Sequence, residues 1–476
     1  MEQLDLNEIQ AYLMHDYGHM FFSRFVLLQV TDAPSAKHWI SDISHQLAYA
    51  TSMSTDQSED TLLNIAVTAS GFKALGMHQD NVNAFSREFR EGMISEHRTR
   101  MLGDIAGSSP DQWLWGNEKK IPEEPVHLLL LVFGKDEETC IRFYDDLKEK
   151  FSNRGLKESI HIDGRILKDN KEHFGFKDGI SQPIIKGSGQ TGPKPNMIAA
   201  GEFILGYKNV YDVLPQTPLI MKDEGDLNLL PPDAGGSGKK DLGRNGTYLV
   251  IRQLEQDVNA FWSFMNKKTQ NEDGSVNVDE SLKLSAKIMG RWPSGAPITS
   301  FPDADPGILM EDNDFGYAKL DKDGLKCPFG AHIRRNNPRD SFEDLGIKES
   351  YKLSNRHRII RRARLYGEPF IGSPENHKPE GEVGLLFNCF NADISRQFEF
   401  LQYTWANIPK TKDLYNDPDP IIGVKEFPVE GETQNFTIQD SPVNRTISGL
   451  ERFVKVKGGA YFFFPSYSAL RYTASI

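Results

Sequence analysis

Apolar residues in this chain fall into short dense runs, separated by stretches in which they recur at helical spacing. Ser23 to Thr31 (SRFVLLQVT) is rich in β-branched and large apolar side chains, which predicts a strand, and Ala33 to Tyr49 returns to helical period. Leu63 to Ser70 predicts a second strand, the polar stretch Phe85 to Leu102 a helical insertion, and Val126 to Phe133 a third strand. Asp136 to Phe151 alternates apolar and charged residues as an amphipathic helix does, and Ser159 to Leu167 predicts a fourth strand.

The order is βαβ, insertion, βαβ, and the second half repeats it. Gly246 to Arg252 precedes a helix at Asp257 to Lys268, as Ser23 to Thr31 precedes Ala33 to Tyr49. The runs from Val126 and from Val383 lead into helices opening at Asp136 and Asp393, each an acid suited to a helix N-terminus. Arg452 to Phe464 is the final strand. The expected fold class is therefore α+β, two ferredoxin-like (βαββαβ-type) halves with antiparallel sheets and long loop insertions. Residues 1–184 form the first unit and 245–476 the second. The Gly-, Pro- and Lys-rich stretch 185–244 forms an irregular connection.

Composition narrows the function classes. The 476 residues carry 55 Lys plus Arg against 67 Asp plus Glu, a net charge of -12. A net-negative surface repels nucleic acid and anionic membrane, so neither is an expected partner. No run approaches the ~20 apolar residues of a membrane span. The three cysteines, Cys140, Cys327 and Cys389, are too widely spread for a metal clip or disulfide framework, and the acidic N-terminus lacks a secretory pattern, so the expected location is cytoplasmic.

Two nucleotide-like motifs fail on inspection. GSGQTG from Gly187 is followed by Pro193 and Pro195 where a phosphate-binding helix has to begin, and GGSGKK has Asp233 and Lys240 where a P-loop needs Gly and Ser or Thr. His15 and His19 have helical spacing but no third ligand nearby, which reads as a surface pair.

Two segments concentrate reactive residues in irregular sequence. In HFGFKDGISQP, Asp178 stands on a Gly turn among apolar neighbours, where a plain Asp-Gly turn is the alternative reading. In CPFGAHIRRNNPRD and NRHRIIRRARLYG, His332 is surrounded by arginines. The residues alone leave open a core histidine within a structural ion-pair cluster.

At these segments the chain closely resembles the dye-decolourising peroxidase family, in its long-chain, bacterial type. The likeness is collinear, running from LDLNEIQ through LNIAVTASGFKALGM, FREGM, MLGD, FGFKDGISQP, RNGTYLVIRQLEQDVNAFW, RWPSGAP, DNDFGYA and CPFGAHIRRNNPRD to HRIIRR and GLLFNCFNADISRQFEF. The resemblance implies a haem b cofactor, hydrogen peroxide as oxidant, and small-molecule or dye reductants oxidised by one-electron steps. It leaves the oligomeric state open. It implies His332 as proximal iron ligand, Asp178 as distal acid and Arg361 as distal arginine. Asp393 falls where an acid steadies the histidine, Arg339 near the haem propionates, and Leu385 and Phe387 at apolar distal-pocket positions. The family's usual RRGIPYG is here Arg362-ARLYG, a departure at the pocket edge near Arg364.

These residue types suit that chemistry. A histidine supplies a strong donor to iron, and an acid on its second nitrogen fixes the tautomer. An Asp with an ordinary pKa near 3.9 remains a base in acid, where a histidine is protonated, and an arginine keeps its charge throughout. Tyr366 and Trp405 are candidates for carrying electrons to bulky donors, with core packing as the alternative. A haem-handling or haem-storage protein on the same scaffold needs His332 but makes no demand on Asp178 or Arg361.

Overall fold

The computed structural model describes residues 3–51, 59–424 and 434–476. Thirteen strands occur among them: β1 (Phe22–Val30), β2 (Thr61–Val67), β3 (Leu128–Gly134), β4 (Leu156–Arg165), β5 (Ile184–Ile185), β6 (Met197–Ile198), β7 (Thr247–Gln256), β8 (Ile360–Arg361), β9 (Arg364–Tyr366), β10 (Gly384–Asn391), β11 (Gln434–Ile438), β12 (Arg445–Leu450) and β13 (Val454–Phe464). The first half has the strand order β2-β3-β1-β4 and the second β13-β7-β10-β9, both the order of a ferredoxin-like sheet.

The two sheets are joined. β13 meets β2 at Phe463 and Val67, and β4 meets β9 at Arg165 and Leu365, so one antiparallel sheet runs through both halves and closes on itself. Closure satisfies edge strands that two free sheets would leave exposed. It also explains β3, where all seven residues are buried. Leu129, Leu131 and Phe133 point into the barrel with Tyr12, Tyr17 and Phe390, whereas Leu128, Leu130 and Val132 pack outward against Trp39, Ile40 and Phe151 of the covering helices. A strand covered on both faces has no polar side to alternate with.

The covering helices in the first half are Ala33–Ser44 and Glu137–Ser152; Asp136 caps the latter, accepting the Thr139 N–H at 2.8 Å. The expected helix from Phe85 to Leu102 is broken into Arg87–Glu91 and Glu96–Leu102, because Gly92 adopts a φ of 68° that ends the first piece. Beyond β4 the chain crosses to the second half through the turn carrying Asp178. After the helix Val258–Thr269 a long insertion carries His332 to the same end of the barrel, where both segments line one cavity.

Candidate active site

The cavity has two contiguous lobes that share His332, Arg361 and Phe387, with about 1380 and 850 Å³ of space between atoms, open solvent at the mouth included. Its floor is the outer face of the barrel. Leu385 and Phe387 of β10 line it, while Leu386 between them is buried inside the barrel. The alternation of a strand thus places the two expected residues on one face.

His332 opens the short helix His332–Asn336. Its Nδ1 lies 2.9 and 3.0 Å from the two carboxylate oxygens of Asp419, which makes Nδ1 the donor and leaves Nε2 as the nitrogen available to the cavity. Asp419 is fully buried, and also accepts the N–H groups of Ile421 and Ile422 and the Asn336 amide at 2.7 Å. Burial by itself raises its carboxyl, but the charge and hydrogen bond of His332 and the backbone N–H groups outweigh that and hold it below the usual carboxylate range.

The acid beside His332 is therefore Asp419 and not the expected Asp393. Asp393 starts its helix, accepting the Arg396 N–H at 2.9 Å and the Arg396 Nε at 3.3 Å. An acid before a helical run serves as an N-cap first. Asp419, in the run DPDPIIG, carries no periodic signal and lies 87 residues from its partner. Only the fold brings the two together.

Asp178 and Arg361 face each other across 3.4 Å, with side chains about a third exposed (32% and 31%). Oδ1 of Asp178 takes both Arg361 Nη1 and the Gly179 N–H at 2.6 Å. Arg361 sits at the end of β8, its own N–H donating to Gln182 Oε1 at 3.0 Å. The segments 178–182 and 360–361 are thus stitched side by side.

Around the second lobe stand Arg291, Arg339, Arg358 and Arg361, and no carboxylate is among its lining residues. Burial, then the neighbouring Arg339 and Arg361, pushes Arg358 down to about 9; burial and Arg339 push Arg291 down to about 10. Arg291 Nη2 is buried without a hydrogen-bond partner. Arg339 donates to the carbonyls of Asn313 and Phe315 and stacks 4.0 Å over the Phe315 ring. Crowded guanidinium groups in a cavity are what an anionic ligand relieves.

The two candidate electron carriers are differently placed. Trp405 is half-buried, its ring 5.2 Å from His357 and 5.5 Å from Phe400, and His357 lines the cavity. Tyr366 belongs to the barrel interior, outside the cavity lining, with its hydroxyl donating to Glu382 Oε1 at 3.0 Å. Among the described residues no three His, Cys, Asp or Glu side chains gather as a metal cluster, which a single axial imidazole does not require.

Residues 20–166 match the family described as "DyP dimeric alpha+beta barrel domain". A dye-decolorizing peroxidase of Exidia glandulosa is 29% identical over 99% of this chain and 87% of its own length. Among solved structures, an ancestral D-type dye decolorizing peroxidase superposes with a TM-score of 0.80 at 26% identity, covering 100% of both chains. A dye-decolorizing peroxidase in complex with 2,6-dimethoxyphenol superposes with a TM-score of 0.76 at 26% identity, covering 99% of this chain and 100% of its own.

Proposed function

Because the chain belongs to the dye-decolourising peroxidase family and is a peroxidase of that kind, we propose that it binds haem b through His332 and reduces hydrogen peroxide with the help of Asp178 and Arg361. One observation carries this reading: a single cavity is lined both by a histidine whose second nitrogen is fixed by a buried acid and by a carboxylate–guanidinium pair.

The residues present fit the group. His332 offers one nitrogen to iron, Leu385 and Phe387 give an apolar wall, and Arg291, Arg339 and Arg358 suit the two propionates. Haem, when bound, supplies the redox-active iron at which peroxide is reduced. Asp178 Oδ1 is engaged by Arg361 and Gly179, so Oδ2 is the atom that takes a proton from peroxide and returns it to the departing oxygen. Arg361 stabilises the charge on that oxygen and keeps Asp178 facing the cavity. Asp419 holds the His332 ring in one tautomer.

Phenols and dyes are the proposed donors, in line with the dimethoxyphenol complex of the similar structure. The three cysteines are buried and unpaired, which supports a reducing, cytoplasmic setting. No helix among the described residues is long and apolar enough to cross a membrane. The test is reconstitution: one equivalent of haem should give a ferric Soret band and peroxide-dependent oxidation of 2,6-dimethoxyphenol. A chain that yields no Soret band refutes the reading.

Bulky dyes that cannot enter need a route to the surface, and the stack of His357, Phe400 and Trp405 offers one. Trp405→Phe is expected to slow oxidation of a large dye by about ten-fold while leaving the reaction with peroxide unchanged. Equal losses for dye and small phenol would assign Trp405 to packing.

A further inference from the structure

We infer that Glu172 is the positioning residue of the distal acid: its carboxylate holds, from inside the loop, the turn that ends at Asp178. This rests on the peroxidase reading and adds a residue that neither the sequence segments nor the proposed chemistry requires. The backbone of the turn folds around Glu172, whose N–H donates to the Phe176 carbonyl at 2.9 Å and whose carbonyl accepts the Gly175 N–H at 2.8 Å. The side chain then returns into the same turn. Oε2 accepts the Phe174 N–H at 2.8 Å and Oε1 the Phe176 N–H at 2.9 Å, while Gln256 of β7 donates to Oε2 at 2.6 Å. Gly175 stands at a φ of 100°, where a Cβ would fall 2.2 Å from the Gly372 carbonyl oxygen, so no side chain there could take over the bracing.

Three donors converge on one carboxyl group, and the ionised form accepts from all three most strongly, with no O–H of its own to place among them. Protonation removes the charge that strengthens these bonds and places an O–H among three donors, so the hold on the turn weakens. Glu172 lines the cavity, and burial, only partly offset by the three hydrogen bonds and reinforced by the charge of Asp178, pushes its pKa up to about 7. The bracing therefore has a protonation state that changes within the working range. The other charged groups at this end are engaged elsewhere. Lys177 pairs with Glu311, Asp178 with Arg361, and Arg252 with Asp104, while Arg452 donates to the carbonyls of Gly103 and Ile105. The neighbouring His173 turns its ring to the carbonyls of Phe370 and Tyr366. Glu172 thus titrates mainly against its own burial and Asp178.

The test compares wild type, Glu172→Gln and Gln256→Leu, each loaded with haem, in stopped-flow reaction with hydrogen peroxide between pH 5 and 9. A glutamine reproduces the un-ionised carboxyl. At pH 8 Glu172→Gln is expected to react about ten-fold more slowly than wild type, at pH 5 at the wild-type rate, with the wild-type transition near pH 7 abolished. Hydrogen exchange of the haem-free proteins at pH 8 supplies a readout independent of activity: the Phe174 and Phe176 amides should lose protection in Glu172→Gln, and less so in Gln256→Leu. Wild-type rates and protection in Glu172→Gln at pH 8 overturn the inference. A wild type that does not react with peroxide overturns the peroxidase reading, and this inference with it.

Discussion

Arg361→Leu is expected to slow the reaction of the haem-loaded protein with hydrogen peroxide by ~10²-fold or more, with haem content near that of wild type. Asp178→Asn is expected to lose a comparable factor. Asparagine keeps the volume and the Oδ1 contacts to Gly179 and Arg361, but it removes the oxygen that can take a proton. Arg361 is expected to be at least as costly, because a water can bridge for a missing carboxylate, whereas Arg339 and Arg358, which also stand around the second lobe, are held by other partners. Arg339 is held by Asn313 and Phe315, and Arg358 by the Ser181 carbonyl at 3.0 Å. Stopped-flow absorbance after mixing with peroxide measures both variants. Wild-type rates in both would remove the distal assignment and favour a haem-handling role, which needs the cavity and His332 but no proton transfer.

The second large effect lies on the other wall. His332→Ala should abolish normal haem ligation, leaving weak or absent binding in a titration followed at the Soret band. Asp419→Asn and Asp393→Asn make a sharper pair, because the family resemblance points to Asp393 as the acid steadying the histidine whereas the fold sets Asp419 against it. Asp419→Asn replaces a carboxylate that accepts from Nδ1, Asn336 and two backbone N–H groups, and is expected to lower haem affinity or turnover by about 10- to 100-fold. Asp393→Asn retains an N-cap residue at a helix start and is expected to leave haem affinity unchanged. The reverse ranking would show that the acid supporting the ligand is Asp393.

These pairs mark where local sequence information ends. Strand and helix identities were legible because they depend on period: the β-rich runs at Ser23 and Val126 became β1 and β3, and the amphipathic run after Asp136 became a capped helix. The shared face of Leu385 and Phe387 was legible for the same reason, since side chains two apart on a strand point one way. His332, Asp178 and Arg361 stood out through collinear likeness to a family, and the fold gathers all three around one cavity.

Tertiary structure alone decided the rest. The sequence contained two strand patterns, but whether they remain separate sheets depends on edge contacts as slight as Phe463 with Val67 and Arg165 with Leu365, which no period encodes. Asp419 lies far along the chain from His332, and what it and Arg291 do comes from burial: a carboxylate enclosed beside an imidazole, and a guanidinium whose Nη1 donates to the Gly295 and Asp312 carbonyls while its enclosed Nη2 has no partner. Glu172 looked like one acid among many until its oxygens were seen to collect the N–H groups of the turn bearing Asp178. Periodicity, a local property of the chain, determined the elements. Charge pairing across the cavity depends on distance and desolvation, and these exist only once the barrel has closed.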